Sequence, residues 1–370
     1  MILKTEVLKD VSAKILSAVD PDGYSIVTET LGLSVKDKCM KLAVTNREYY
    51  VEVRVPVETD EEMTVSVNAV VFLKLISQIT TETVEFEVSG NTLKVTANGS
   101  YSIPVMYENE NPVSIPVINI GTEVNSFNIS ADILLSILNY NSKELTKLKS
   151  YPRQAQGYYY VDNEGAITFT TGACVNNFTL DGNITMLLSQ KVVKLFRLFN
   201  ENETVRFTFG VDSNNGIPQN KASFVTDSIT LSTLLLSDEK VINSVPVQAI
   251  RGRANNSYNY SANINRDNLL KMINRIMTMY NPNMSYYSKV IFDKNKVTVI
   301  GNSDSCSESL FYNNDINNLD GEYECVLDLK DLKLTLDGCP ETFLTISFGD
   351  SIAIIVSRGH VKNVIPEVHM

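Results

Sequence analysis

Residues 63–106 read MTVSVNAVVFLKLISQITTETVEFEVSGNTLKVTANGSYSIPVM. In TVSVN, apolar and polar residues alternate with the period of two of a half-buried strand. NAVVFLKLISQI then changes to the three- and four-residue spacing of a helix, with Asn68 in the N-cap place. Three more alternating runs follow, TVEFEVS, TLKVT and SYSIPV, divided at SGN and NGS, where Gly and Asn favour tight turns. The stretch predicts a strand, a helix and three antiparallel strands.

The same order occurs twice more. NITMLLSQKVVKLFRLFNENETVRFTFGV (183–211), followed after an insertion by KASFVTDSITLSTLLL (221–236), puts Ser189 in the place of Asn68. YECVLDLKDLKLTLDGCPETFLTISFGDSIAIIVSRGHVKNVIPEV (323–368) puts Asp328 there. Asn, Ser and Asp can all accept from a free helix N–H, so the coincidence has a mechanism. The segments before these blocks repeat as well. VLKDVSAKILSAV (7–19), ISADILLSIL (129–138) and INRDNLLKMINRI (264–276) carry helical apolar spacing, and each precedes alternating strands. Every third is therefore helix, strands, helix, strands. A period of roughly 120 to 140 residues is too long for a solenoid, so each repeat is a domain. Pro and Gly collect near 108–121 and 245–257, which sets the domains at 1–120, 121–250 and 251–370. The fold class is α+β.

The chain has 370 residues, 44% hydrophobic and 20% charged, enough for a large core and unlike a disordered chain. It lacks a run of eighteen apolar residues, so no membrane span is expected. Charges in MILKTEVLKDVSAKI are too closely spaced for a signal peptide, and the expected location is cytoplasmic. Cys39, Cys174, Cys306, Cys325 and Cys339 form no CxxC pair and read as small reduced hydrophobes. His360 and His369 are the two histidines, too few for a histidine metal site or a Ser-His-Asp triad. No GxxxxGK[ST], GxGxxG or HExxH pattern occurs, and no cofactor or metal is expected. The run NSDSCSES (302–309) reads as a polar loop or exposed strand edge, and the pairs Glu61–Glu62 and Asp304–Glu308, which could be drawn as a metal or glycosidase site, read equally as solubilising charges. These features predict a protein that is not an enzyme.

The formal net charge of −11 argues by itself against nucleic acid. Its distribution argues otherwise. The six helical segments and the loop to residue 149 hold about 14 Lys and Arg against about 6 Asp and Glu. Lys191, Lys194 and Arg197 are three apart on one stripe of SQKVVKLFRLF; Lys271 and Arg275 share a face, as do Lys330 and Lys333, and Lys74 is the one charge on its helix. Any one of these is also what a solvated helix face looks like; six biased alike are harder to read that way.

The triplication resembles the bacterial DNA polymerase III beta subunit, the DNA sliding clamp, over the whole chain. AVTNREYYVEV (43–53) is similar to its first-domain Ala-Thr-Asp-Leu-Glu strand, with Asn46 where Asp is usual. LLSQKVVKLFRLF (187–199) resembles its second-domain helix, and NVIPEV (363–368) its terminal Val-Met-Pro-Met strand. Few glycines with many Asn and Ile point to an AT-rich source such as a phage or mobile element. The resemblance implies three clamp domains, a six-domain ring made by a head-to-tail homodimer, and a processivity factor that encircles duplex DNA. Its basic helices would meet the phosphates without reading sequence. In this reading DNA is touched by Lys74, Lys147, Lys149, Arg153, Lys191, Lys194, Arg197, Lys271, Arg275, Lys330 and Lys333. The dimer interface takes Tyr101 and Ile103 from one domain and Met279 and Tyr280 from another, although the latter pair could equally finish a core. DNA polymerase and the clamp loader would dock short hydrophobic peptides in a pocket of Ala155, Thr170, Gly172, Val175, Pro246, Val364, Ile365 and Pro366, with Glu367 where the family has an apolar residue. The alternative is a β-rich structural or interaction protein of repeated α+β domains that does not bind DNA.

Overall fold

The computed structural model describes residues 1–20, 25–148, 155–214, 217–281, 283–301, 306–316, 318–337, 341–350 and 352–369, with residues 214 and 217 as backbone only. Within it each third of the chain follows one order: strand, helix, four strands, helix, three strands. Short elements occur between these, among them a helix at Val247–Asn255. Two of the expected caps are seen directly: Asn68 accepts from the Val71 amide at 3.0 Å and Asp328 from the Lys330 amide at 2.9 Å. Asn265 does the same for the helix Arg266–Met277, accepting from Asn268.

Each third yields two four-stranded antiparallel sheets. The first, eleventh and nineteenth strands (Ile2–Lys4, Thr122–Ser130, Tyr260–Asn265) each join the last three strands of their own third. The four middle strands of each third form the other sheet. Two of these sheets then fuse edge to edge with a neighbour. Ile229–Leu234, the last strand of the middle third, pairs with Tyr49–Pro56, the fourth strand of the first. Val361–Pro366, the last strand of the chain, pairs with Ala173–Asn177, the fourth strand of the middle third. The result is two eight-stranded and two four-stranded sheets, beside one two-stranded hairpin.

Two compact units follow from this pairing. One comprises Met1–Asp132 with Lys191–Ser237, the other Ile133–Gln190 with Asp238–Met370. The middle third thus contributes a sheet to each. In the first unit Thr5–Leu16 and Ala69–Gln78 lie against each other and bury Leu8, Ile15, Phe72 and Ile76. Gln190–Lys194 continues as a 3-10 turn through Leu198 and buries Val192, Val193 and Phe196. The Phe196 ring meets Phe224 edge-on at 5.1 Å, and Phe224 lies 5.2 Å from Phe207. In the second unit the core of the last third centres on Phe292 stacked on Phe348 at 4.1 Å. Cys174 and Cys325 are buried, and burial pushes the Cys174 thiol up to about 12, which keeps it an unreactive apolar filler at neutral pH. Cys339 lies outside the described residues.

Phe196 and Arg197 are neighbours with opposite environments. Phe196→Ala removes a fully buried ring and is expected to cost about 3–5 kcal/mol, whereas Arg197→Ala, on the exposed stripe, should stay within about 0.5 kcal/mol. Urea unfolding of the two variants checks the pair.

Candidate partner-binding site and basic helix faces

The second unit contains a cavity of about 490 Å³ beside the last strand. Its position follows from strand pairing. Because Ala173 pairs with Val364 in the seam, the chain after Pro366 must run past the preceding turn at Thr170 and Thr171. Gly172 permits this close pass: a Cβ there would stand 2.4 Å from the Val364 carbonyl oxygen and 3.3 Å from Pro366 Cδ. Beyond the strand the terminus stays tied, with the Glu367 amide donating to Ile352 O and the Val368 amide to Val326 O, each at 2.8 Å.

Leu148, Tyr287, Pro366 and Val368 give the cavity its apolar wall, and Gln156, Thr170 and Thr171 its polar one. Asp328, Asp331, Glu367 and Lys147 bring the charges. Asp328 is the cap of the helix Leu329–Leu336 and Asp331 lies in its first turn. Thr171 Oγ1 is 3.5 Å from Asp331 Oδ2. The Glu367 carboxylate accepts from Tyr323 OH at 2.5 Å. Burial pushes this carboxyl above its usual range; the tyrosine hydroxyl draws it back, and the charge of Asp350 adds to the rise. At the back, Glu144 is wholly buried, accepts from Thr170 Oγ1 at 2.5 Å and holds Lys147 Nζ at 2.8 Å.

This placement changes the expected pocket. Of the residues expected in the pocket, Thr170 and Pro366 line this cavity. Gly172 shapes it through backbone approach. Ala155, Val175, Val364 and Ile365, expected there from the resemblance, are buried at 9% exposure or less and are not among the cavity's lining residues. Pro246 is exposed at the start of the Val247–Asn255 helix and is not among the cavity residues. Sequence reasoning missed Tyr287, Leu148, Asp331 and Val368. It also missed Arg251 on that helix, whose guanidinium grips Asp162 with two bonds of 2.9 and 2.6 Å.

The basic residues divide. Lys74, Lys191, Lys194, Arg197, Lys271, Arg275 and Lys330 are exposed on their helices, and Lys333 is half-buried. Lys191 lies 3.0 Å from Asp20. Arg275 is bound by Glu308 of the strand Ser307–Phe311, with Nε donating at 3.1 Å, so part of its charge is already matched. Lys147 is the correction: its side chain is 4% exposed and its ammonium is turned inward on Glu144. A buried carboxylate without a counter-charge would cost several kcal/mol, and this one takes the nearest lysine. Lys149 and Arg153 lie outside the described residues. For the interface expectation, Tyr101 and Met279 are exposed at 37% and 58%, while Ile103 and Tyr280 are buried at 3% and 6%. Tyr280 finishes the core, donating to Tyr287 O at 2.8 Å.

Among the described residues no group of three His, Cys, Asp or Glu is arranged to hold a metal ion, and no helix is long and apolar enough to cross a membrane. A threefold repeat of paired four-stranded sheets and helices, with a cavity at the chain's last strand, defines the clamp fold. Residues 1–116 match the N-terminal domain family of the DNA polymerase III beta subunit. The whole chain is similar in fold to the beta subunit from DNA polymerase of Streptococcus pyogenes, at TM-score 0.81 and 15% identity, covering 100% of this chain and 99% of that one. It is likewise similar to the sliding clamp of Pseudomonas aeruginosa bound to griselimycin (TM-score 0.82, 14% identity, coverage 100% and 99%). A third match is the Helicobacter pylori beta clamp bound to a DNA ligase peptide (TM-score 0.76, 16% identity, coverage 100% and 99%). No protein of curated function matches by sequence.

The Glu144–Lys147 pair gives a direct check. Lys147→Met should lower stability by about 3 kcal/mol by stranding the carboxylate, and adding Glu144→Leu should restore most of the loss. Urea unfolding measures both; if Lys147→Met is harmless to folding, the inward placement is wrong.

Proposed function

We propose that the chain is a DNA sliding clamp: a non-catalytic processivity factor of three domains, 1–120, 121–250 and 251–370, whose head-to-tail homodimer closes round duplex DNA. The observation that carries this reading is the bookkeeping of sheet edges. Within one chain, the last strand of a third pairs with the third of the four middle strands of the third before it, twice. The rule leaves one strand of each kind unused: Ser100–Pro104, the last strand of the first third, and Ser307–Phe311, the corresponding middle strand of the last. An unpaired edge is a template for another chain. A second copy supplies the missing partner at both ends, and two equal heterologous contacts close the assembly.

The residues at those edges fit a covered surface. In the two seams already formed, Val51, Leu231, Cys174 and Val361 are fully buried. At the unused edges Tyr101 is 37% and Phe311 68% exposed, in a protein whose other large apolar residues are mostly interior. Exposed Lys74, Lys191, Lys194, Arg197, Lys271 and Lys330 on the helices supply a charge that duplex phosphates neutralise, while the total of −11 keeps DNA from other faces. The cavity by Pro366 corresponds to a docking place for short peptides of the polymerase and loader. A cytoplasmic location suits this role.

Native mass spectrometry should give twice 41.2 kDa. Tyr101→Lys combined with Phe311→Lys should give the monomer with unchanged circular dichroism; a wild-type monomer at micromolar concentration would sink the ring. For the DNA contact, replacing Lys191, Lys194 and Arg197 by Ala should reduce the slope of log affinity against log salt for duplex DNA by about 2 to 3. Retention on circular DNA and loss on linearisation tests encirclement itself.

A further inference from the structure

The register of the two closed seams can be carried onto the two unused edges, because the hairpins of the three repeats align. The hairpin that ends each third is closed by Ala97 bonding to Gly99, by Thr226 bonding to Ile229 and by the pair Arg358–Val361. The next pair on the same face is Val95–Tyr101, Phe224–Leu231 or Val356–Asn363. The middle hairpins are closed by bonds of Asn46 to Tyr49, Thr170 to Gly172 and Gly301 to Cys306. Their next pairs are Val44–Val51, Thr168–Cys174 and Val299–Glu308. Both seams then share one register, with Leu231 facing Val51 and Asn363 facing Cys174. The same register puts Tyr101 of one copy opposite Glu308 of another, Ser102 opposite Ser307 and Ser100 opposite Ser309.

Val51 and Cys174, which fill the place of Glu308 in the closed seams, are fully buried and uncharged. Glu308 is a carboxylate, bound by Arg275 through Nε at 3.1 Å and through Nη2. Arg275 lies in the last turn of the helix Arg266–Met277, and Met279 follows one turn on, 58% exposed. We propose that the Arg275–Glu308 pair recognises a second copy of the chain rather than DNA: in this register the Tyr101 ring closes over the Arg275 guanidinium and excludes water from Glu308. This rests on the reading of the chain as a head-to-tail homodimer. Because the carboxylate enters the seam with its counter-charge already bound, covering it strengthens the pair instead of stranding a charge. A guanidinium lying on a tyrosine ring is an arrangement the chain already uses, with Arg358 over Tyr140 at 4.8 Å. On the open edge, an inward-pointing charge discourages strands that bring no such cover.

The test places paired cysteines at Ser100, Ser102, Ser307 and Ser309, all exposed, in the full-length protein. Covalent dimer is read on non-reducing gels after mild oxidation. Bonds from Arg54 N to Ser228 O and from Asn177 N to His360 O fix which rows of the seams exchange hydrogen bonds, and both opposite serine pairs fall in such rows. Ser102→Cys with Ser307→Cys, and Ser100→Cys with Ser309→Cys, then lie about 5.5 Å apart at Cα, within disulfide reach, and should cross-link. The diagonal combinations, Ser102→Cys with Ser309→Cys and Ser100→Cys with Ser307→Cys, lie about 7 to 8 Å apart and should give little. Arg275→Gln should raise the dimer dissociation constant about tenfold, and adding Glu308→Val, the residue type at Val51, should bring it back to within about threefold. Tyr101→Phe, which keeps the ring, should leave the dimer as tight as the wild type. A dimeric wild type whose diagonal pairs link, or none, overturns the register and leaves the dimer standing. A monomeric wild type that links no pair overturns the dimer and this interface together. Linking of the opposite pairs, with Arg275→Gln as tight as the wild type, overturns the role of the ion pair.

Discussion

An edge strand exposes a row of amides and carbonyls that must find partners, and the way this chain satisfies its edges determines nearly everything else. A four-stranded sheet with a helix on one face is a small core. Fusing two of them doubles the continuous ladder and buries side chains at the seam from both directions. The seam between Ala173–Asn177 and Val361–Pro366 does this with Cys174 and Val361 entirely covered. The cavity is a product of the same pairing, because the seam dictates where Pro366, Glu367 and Val368 emerge from the sheet. The lining of that cavity therefore depends on register, and a slip of one residue would turn every side chain to the other face.

Apolar contact alone is a weak guardian of register, and the chain backs this seam with directional bonds. The wholly buried Asn141 donates from one amide nitrogen toward Ala166 O, Thr168 Oγ1 and Cys174 O, at 3.2 to 3.4 Å. Asn176 Nδ2 donates to Ser136 at 2.9 Å. Arg358, 2% exposed, donates to Thr335 O at 2.9 Å and lies over the Tyr140 ring, 4.8 Å from its centre. Each bond contributes only about 1 kcal/mol net, but leaving any of these groups unmatched costs more, so the penalty for a wrong register exceeds the reward for the right one. The Glu144–Lys147 pair belongs to this polar backing, which is why a lysine that looks like a surface charge in the sequence has an interior role.

The repeat was legible because its signals are local. Period-two strands, helical spacing and the caps Asn68 and Asp328 are written within a few residues of each other, three times over. What failed was tertiary. Lys147 and Glu144 are three apart and could pair on any helix; only burial of the carboxylate makes the pair compulsory. Ile103 and Tyr280 carry the same apolar signature whether they face a core or a partner, and the structure buries both. The strand Ser307–Phe311 lies in a serine-rich run that reads as either a polar loop or an exposed strand edge, since an edge strand needs polar residues on its open side. The helix Val247–Asn255 was masked by the Pro and Gly around a boundary, although Pro is a good helix starter and Gly252 has open space around it.

Glu367 shows how a change of environment can occur between adjacent residues. Through Ile365 the terminal strand is core, with Val361, Val364 and Ile365 at 9% exposure or less, and no charge could be placed there without a counter-ion. At Pro366 the chain leaves the ladder, and the next side chain meets the cavity. An apolar residue at 367 would deepen the apolar wall at no electrostatic cost. The acid instead keeps a half-desolvated carboxylate, supported by the Tyr323 hydroxyl and the charge of His369 and opposed by the charge of Asp350. Its effect on stability has a definite sign: a carboxyl whose folded pKa is raised favours the folded state below that pKa and loses this advantage as pH rises through it. At neutral pH the ionised residue is therefore a net burden on the fold, and its burial beside Asp350 is the cause.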